Sequence, residues 1–386
     1  MVEWTASAET GFFSRKQLGR YDPSGVGLSF SGGGYRATLF HAGVVIRLNE
    51  LGVLGRIDRI SSVSGGSITS GILAMAWPFL DIVDPDDKAS PEAMQKHFIK
   101  PILDATSITL DVGIGITGLL PFVSAGNALA DAYDRHIFKN TLIKHIPDRP
   151  KFIFNATNLQ TQGLFRFTRD YLADWRALVS TTKKIRLSQA VAASSGFPPV
   201  LAPLRLDLSG EDVHAPEGAR YNDPALRRRP VLMDGGVYDN LGMESLWKRC
   251  GVLIGSYAGQ NNKPNSGNFS TGHLMTMIDI FLASSIDWRE RVLINLFKNE
   301  LSDGKTERVG TYWTAGTDIE DFPIKDGWKP TPGEFKTARN TPTRLAAFSK
   351  REQRLVINAG YAFADAGVRS YLLPDAPAPD GPPELP

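Results

Sequence analysis

Cysteine is almost absent from this chain. Cys250 stands alone in 386 residues, which excludes an intrachain disulfide framework and any site built on a Cys-x-x-Cys pair. Excess charge is missing too. Lys plus Arg number 43 against 41 Asp plus Glu, a formal net charge of +2, so bulk electrostatics point to no nucleic-acid partner. The one dense basic stretch, Arg227 to Arg229 in ALRRRP, reads as a solvated loop. Long uninterrupted apolar runs are also lacking. The most apolar window, Ile108 to Ala130, is broken by Asp111, Pro121, Asn127 and several glycines, whereas a membrane span needs about 20 mainly apolar residues. It reads as buried or interfacial. The first residues, MVEWTASAETGFFSRKQLGRYDP, show no basic region leading into an apolar one, so no secretory signal is read there. With the lone cysteine, this fits a reducing compartment.

With 42% apolar and 22% charged residues, the composition is that of a globular chain, long enough to bury a sizeable core. Short apolar runs alternate with helix-period stretches, the pattern of an α/β fold with a parallel sheet. The expected strands are Val26–Phe30, Ile57–Val63, Lys151–Thr157, Pro230–Asp234 and Gly251–Tyr257. Helices are expected between them. Phe40, Val44, Leu48 and Leu51 recur at helical spacing with Gly52 as a stop, and SITSGILAMAW and LSQAVAASS read alike. The stretch MTMIDIFLASSIDWRERVLINLFKNEL reads as one long helix or a pair.

SGGGYRA, Ser31 to Ala37, puts three glycines where a strand hands over to a helix. Free backbone N–H groups and the helix dipole make such a place an anion site, for a phosphate or for the oxyanion of an acyl-transfer step. A nucleotide site asks for GxGxxG with a later acid, or GxxxxGK followed by Ser or Thr; neither is present. A tight turn alone seldom needs three consecutive glycines. In RISSVSGGSITSG an apolar strand runs into Ser64, then Gly65 and Gly66, then a helix. That is the order of a nucleophile elbow, GxSxG, with Ser62 in place of the first glycine and Gly66 at the last. A serine nucleophile needs a base. His214 and His273 are the late histidines, while His41, His97, His136 and His145 read as packing or surface residues. VLMDGGVYDNLG offers another base: a strand ends in Asp234, and two glycines let other groups reach its carboxylate. Each motif alone also fits an ordinary turn.

Together and in this order, SGGGYRA, SVSGGS and MDGG resemble the patatin-like phospholipases, with support from FIFNATNLQTQG and AVAASSGFPPVLAP. The likeness runs from about Gly27 to Tyr257. Ala37 stands where patatins usually carry glycine, and there the loop is similar to the cytosolic phospholipase A2 group. The resemblance implies a patatin-like three-layer α/β/α fold with a central, mostly parallel sheet and a helical cap. It implies a Ser64–Asp234 dyad working through an acyl-enzyme, and an oxyanion hole at Gly32, Gly33 and Gly34. Arg36 would support that loop or the developing charge; Gly66, Gly235 and Gly236 would support the elbow and the DGG turn. Asp239 and Asn240 would brace that turn, and Ser194 would pack or line the cleft. The implied substrate is a phospholipid or other lipid ester, met in transient contact with a membrane surface by a cytoplasmic protein. No cofactor and no metal are implied. The Ile108 to Ala130 window would then be a lid or interfacial surface, or equally a core helix pair.

The expected division is an N-terminal extension over residues 1–24 and a catalytic domain over 25–260 with a helical insertion at about 81–149. A C-terminal helical region would cover 261–373, and a disordered proline-rich tail 374–386. Two rival readings stay open. One is a soluble serine carboxylesterase using Ser64, an acid and His214 or His273. The other is a non-hydrolytic regulatory protein that binds a phosphate or nucleotide at the glycine loop. No motif specifies the head group, the acyl position cut, or the oligomeric state.

Overall fold

Eleven short segments extend into one mixed sheet in the computed structural model, which describes residues 22–110, 124–259, 273–299 and 308–386. Most of the expected N-terminal extension, residues 1–21, and residues 111–123 of the apolar window lie outside the described residues. The strands are β1 (Asp22–Phe30), β2 (Arg59–Val63), β3 (Lys151–Asn158), β4 (Gly163–Phe167), β5 (Leu172–Asp174), β6 (Leu178–Ser180), β7 (Leu204–Arg205), β8 (Val213–His214), β9 (Val231–Asp234), β10 (Cys250–Tyr257) and β11 (Val309–Thr314). The helices used below are α1 (Gly34–Glu50), α2 (Gly65–Ala76), α3 (Ala125–Tyr133), α4 (Leu187–Ser195), α5 (His273–Lys298), α6 (Pro332–Asn340) and α7 (Lys350–Tyr371).

Five strands form a parallel block in the order β11-β10-β1-β2-β3. All five strands expected from the sequence are present, and four of them belong to this block. Beyond β3 the sheet continues as antiparallel β4, β5, β6 and β8, an extension the sequence reading did not anticipate. Side chains alternate across the block as strand geometry requires. Leu28, Phe30 and Ile254 face the main core with α1, α2, α4 and α7, while Leu253 and Tyr257 face a smaller core closed by Ile286 and Leu293 of α5. Helices on both faces make three layers. Among the described residues no helix is long and apolar enough to cross a membrane.

The insertion is helical where it is described: Pro91–Ala93, Met94–Ile99 and Lys100–Ala105 run on from one another, and α3 follows. Its Phe98, Ile102, Leu129 and Tyr133 are buried in the main core. Two expectations for the C-terminal region need revision. It is not purely helical, because β11 pairs in parallel with β10 and buries Trp313 under α7. Nor does the proline-rich tail lack partners. Arg47 Nη2 donates to the Pro377 carbonyl at 2.7 Å and Arg369 Nε to the Ala376 carbonyl at 2.9 Å. Proline lacks an N–H, yet its carbonyl still accepts, and two buried arginines use that stretch of backbone.

Candidate active site

The pairing around β3 explains how Ser64 and Asp234 come together. β4 occupies one edge of β3 along Phe154–Asn158. On the other edge β2 runs parallel as far as Val63 opposite Asn155, and β9 runs antiparallel until Asp234 lies opposite Ala156. Two strands thus approach along one edge from opposite directions, and their C-terminal ends meet. Ser64 follows one end and Asp234 is the other.

Ser64 takes φ 52° and ψ −120° at the turn into α2, a region that costs a non-glycine residue on the order of 1–3 kcal/mol unless its surroundings impose it. They do. Its N–H donates to the Ser194 carbonyl at 3.1 Å and to Ser194 Oγ at 3.0 Å, and Gly66 N donates to the Ser31 carbonyl at 3.1 Å. A Cβ at Gly65 would collide with the Gly34 carbonyl, so the elbow and the glycine loop pack backbone on backbone. Ser62, in place of the elbow's usual glycine, is buried and donates to the Ile153 carbonyl at 3.3 Å. A small hydroxyl fits there with its hydrogen bond satisfied.

The glycine loop lies between β1 and α1. Gly34 has φ +55°, and a Cβ there would stand 2.7 Å from the Arg344 carbonyl, so only a bare backbone suits this approach. Gly32 N–H is already given to the Asn240 carbonyl at 3.2 Å; of the three expected oxyanion donors, that leaves Gly33 and Gly34. Neither of their N–H groups has an acceptor among the described residues, and Gly34 is the first residue of α1, where unpaired N–H groups and the positive dipole end coincide. Arg36 lines the same cleft, and its Nη1 donates to the Thr341 carbonyl at 3.1 Å, tying the loop to the end of α6.

Asp234 is buried. Its Oδ1 accepts from Gly236 N at 2.7 Å, while Oδ2 has no hydrogen-bond partner among the described residues. Removing the carboxylate from water raises its pKa to about 7, against the pull of the Gly236 amide and of the nearby Ser64 hydroxyl. A buried, unpartnered carboxylate oxygen beside a strained serine can accept that serine's proton.

Sequence reasoning missed the group that holds the pair. The Ser194 carbonyl, near the C-terminal end of α4, accepts from both Ser64 N and Gly235 N, the latter at 3.0 Å, and Gly196 O accepts from Asp234 N at 3.0 Å. Ser194 is fully buried and serves as a brace, whereas Ser195 lines the cleft. The AVAASSGFPP stretch marked the place but not the role. Asn155 was missed as well: its Nδ2 donates to Ser61 Oγ and the Ser62 carbonyl, each at 2.9 Å, pinning the end of β2. Asp239 accepts from Leu241 N and Gly242 N at 3.1 Å and pairs with Arg289 of α5 at 3.1 Å, bracing the DGG turn.

The histidines fall elsewhere. His41 is buried, stacked on Phe30 and bonded to Ser256 Oγ at 3.0 Å, and burial lowers its pKa to about 3, so it stays neutral. His214 lies on β8, the strand at the far end of the sheet, and is not among the residues lining the cleft. His273 is the first residue of α5. The cleft over Ser64 encloses about 660 Å³, within the range of small-molecule sites. Part of its lining is apolar, from Phe197, Pro198 and Leu201 together with Leu282, Ala283 and Ile286 of α5.

Residues 28–247 match the family described as patatin-like phospholipase. A Saccharomyces cerevisiae protein assigned as meiotic phospholipase SPO1 is 28% identical over 118 residues, which cover 30% of this chain and 16% of that protein. Among solved structures, human GIVD cytosolic phospholipase A2 is similar with a TM-score of 0.52 at 11% identity, over 88% of this chain and 58% of that one. The same human protein in complex with methyl gamma-linolenyl fluorophosphonate gives a TM-score of 0.50 at 12% identity, over 90% of this chain and 59% of that one. This chain therefore spans less than two thirds of each of these relatives, and the structural likeness bears on the three-layer fold.

Proposed function

The chain belongs to the patatin-like phospholipase family, and we propose that it hydrolyses fatty-acyl esters of phospholipids with Ser64 as nucleophile and Asp234 as its base. The reading rests on one observation above all: the unpartnered Oδ2 of buried Asp234 and the strained Ser64 meet on one edge of β3 inside a partly apolar cleft. Asp234 Oδ2 takes the Ser64 Oγ proton as Oγ attacks the ester carbonyl. The oxyanion forms against the Gly33 and Gly34 amides, each donor contributing on the order of 100- to 1,000-fold. Collapse breaks the acyl C–O bond, and protonated Asp234 returns the proton to the departing lysophospholipid oxygen. Water then gives a proton to Asp234 and attacks the acyl-serine. The fatty acid leaves as Ser64 recovers its proton. A carboxylate with a pKa near 7 is a far better match to a hydroxyl than one near 4, so burial of Asp234 is part of the chemistry.

The apolar part of the cleft lining suits an acyl chain, and contact with a membrane surface is part of the proposal because such substrates reside there. Fatty-acid release from phospholipid in detergent micelles tests it. Intact protein releases fatty acid, and Ser64→Ala and Asp234→Asn each lower the rate by about 1,000-fold or more, while His214→Ala and His273→Ala leave it within about twofold. Full activity in either dyad variant would sink the assignment.

A further inference from the structure

The cleft is electrically two-sided. Arg36 and Arg344 line it beside the glycine loop, and Asp279, Asp287 and Glu290 line it from α5. The ion pair that α5 makes among the described residues, Arg289 with Asp239, involves none of these three carboxylates. Glu290 is half-buried, and desolvation together with the charge of Asp287 raises its pKa against the weaker pull of Arg291, as befits an acid that lacks a close counter-cation. No three acidic, His or Cys side chains among the described residues are placed to hold a metal ion. The negative side is therefore a spread field, suited to a bulky organic cation. On the positive side, Arg36 gives Nη1 to the Thr341 carbonyl and Arg344 lies over the Phe348 ring, and neither forms an ion pair among the described residues.

A glycerophospholipid with a choline or ethanolamine headgroup carries its charges in a fixed order outward from the ester: an anionic phosphate, then an ammonium. Resting on the hydrolase reading above, we propose that the cleft selects phospholipids whose headgroup ends in an ammonium, with Asp279, Asp287 and Glu290 as the specificity determinants. The phosphate faces the Arg344 side and the ammonium faces α5. A phosphatidylglycerol headgroup offers the carboxylates no cation and brings its phosphate toward three like charges. Opposed like charges across a binding site are a strong means of rejection.

The test is competition within one micelle, which cancels differences in surface binding. Phosphatidylcholine and phosphatidylglycerol with identical acyl chains are mixed in equal amounts in a neutral detergent, and the two lyso products are compared by mass spectrometry. The expected ratio is about tenfold in favour of choline, falling to about onefold in the combined variant Asp279→Asn, Asp287→Asn, Glu290→Gln. A near-UV circular-dichroism spectrum matching that of the native protein checks that the variant is folded. If it is not, Asp287→Asn and Glu290→Gln are read singly, each shifting the ratio in the same direction. A native ratio near one, a preference for phosphatidylglycerol, or a ratio unmoved by neutralising these residues overturns the inference while leaving the hydrolase reading intact. Cleavage of neither lipid would instead overturn the hydrolase reading and this inference with it.

Discussion

The two walls of the cleft are built differently. The inner wall, Gly32–Gly34, Ser64 and Asp234, is backbone held by backbone: the Ser194 carbonyl joins the elbow to the DGG turn, and Gly65 lies directly against Gly34. The outer wall is side chains on α5, an element far away in sequence that reaches the cleft by packing, and the Arg344 backbone joins the two walls by packing on Gly34. On the proposed mechanism the inner wall sets the reaction, because an oxyanion donor or a nucleophile misplaced by an ångström loses its effect. On the same proposal the outer wall sets what enters. Changes inside should therefore act on turnover, and changes outside on affinity and selectivity.

The sharpest way to break that contrast is Gly34→Ala. Its Cβ would meet the Arg344 backbone at 2.7 Å in a conformation that alanine resists, so kcat should fall by about 100- to 1,000-fold, read in steady-state ester hydrolysis. Next comes Asp234→Asn, read as stability. Because burial raises the Asp234 pKa to about 7, the folded protein holds its proton where the unfolded chain has lost it. Native stability should then drop as pH rises from about 4 to 7 and level off above. The Asn variant does not titrate, so its advantage in urea unfolding should grow across that window to about 2–4 kcal/mol at pH 8. The same titration, with the carboxylate as base, makes native kcat/KM rise with pH to a plateau above about 7. Ser194→Ala keeps the bracing carbonyl but loses the hydroxyl that meets Ser64 N at 3.0 Å and Ser67 Oγ at 2.8 Å; a drop of about tenfold in kcat with KM little changed is expected. The smallest effect belongs to the outer wall. Leu282→Ala should raise KM for long-chain substrates about threefold and leave kcat and short-ester cleavage alone. A large loss of kcat in that variant would erase the distinction between the walls.

The same contrast explains what the sequence could reveal. The inner wall was legible because its geometry demands glycine at fixed places beside a strand end, and SGGGYRA, SVSGGS and MDGG record those demands. The five strands that carry or flank these motifs were legible for the same reason. The brace at Ser194 was not, since a backbone carbonyl leaves no residue-type signature. Most of the antiparallel extension escaped because β5, β6 and β8 span only two or three residues each, too few for an alternation to register; β4, five residues long, was missed despite its alternating burial. In β11, Thr311 and Trp313 point inward from VGTYWT, but the strand follows a long helix and read as part of a helical region. The tail misled through composition: proline content predicts poor secondary structure, and says nothing about whether buried arginines will bind its carbonyls. The assignment of α5 to the cleft needed the fold, because its lining residues carry no motif.

The most direct test of the central claim, that Asp234 activates Ser64 without a histidine, is the rate at which an alkyl fluorophosphonate adds to Ser64, followed by intact-protein mass spectrometry across pH. The account predicts one adduct, absent in Ser64→Ala, forming at a rate that rises to a plateau with a midpoint near pH 7 and that falls by about 1,000-fold in Asp234→Asn. Addition at Ser64 that proceeds equally fast in Asp234→Asn, or an adduct that persists in Ser64→Ala, would contradict it.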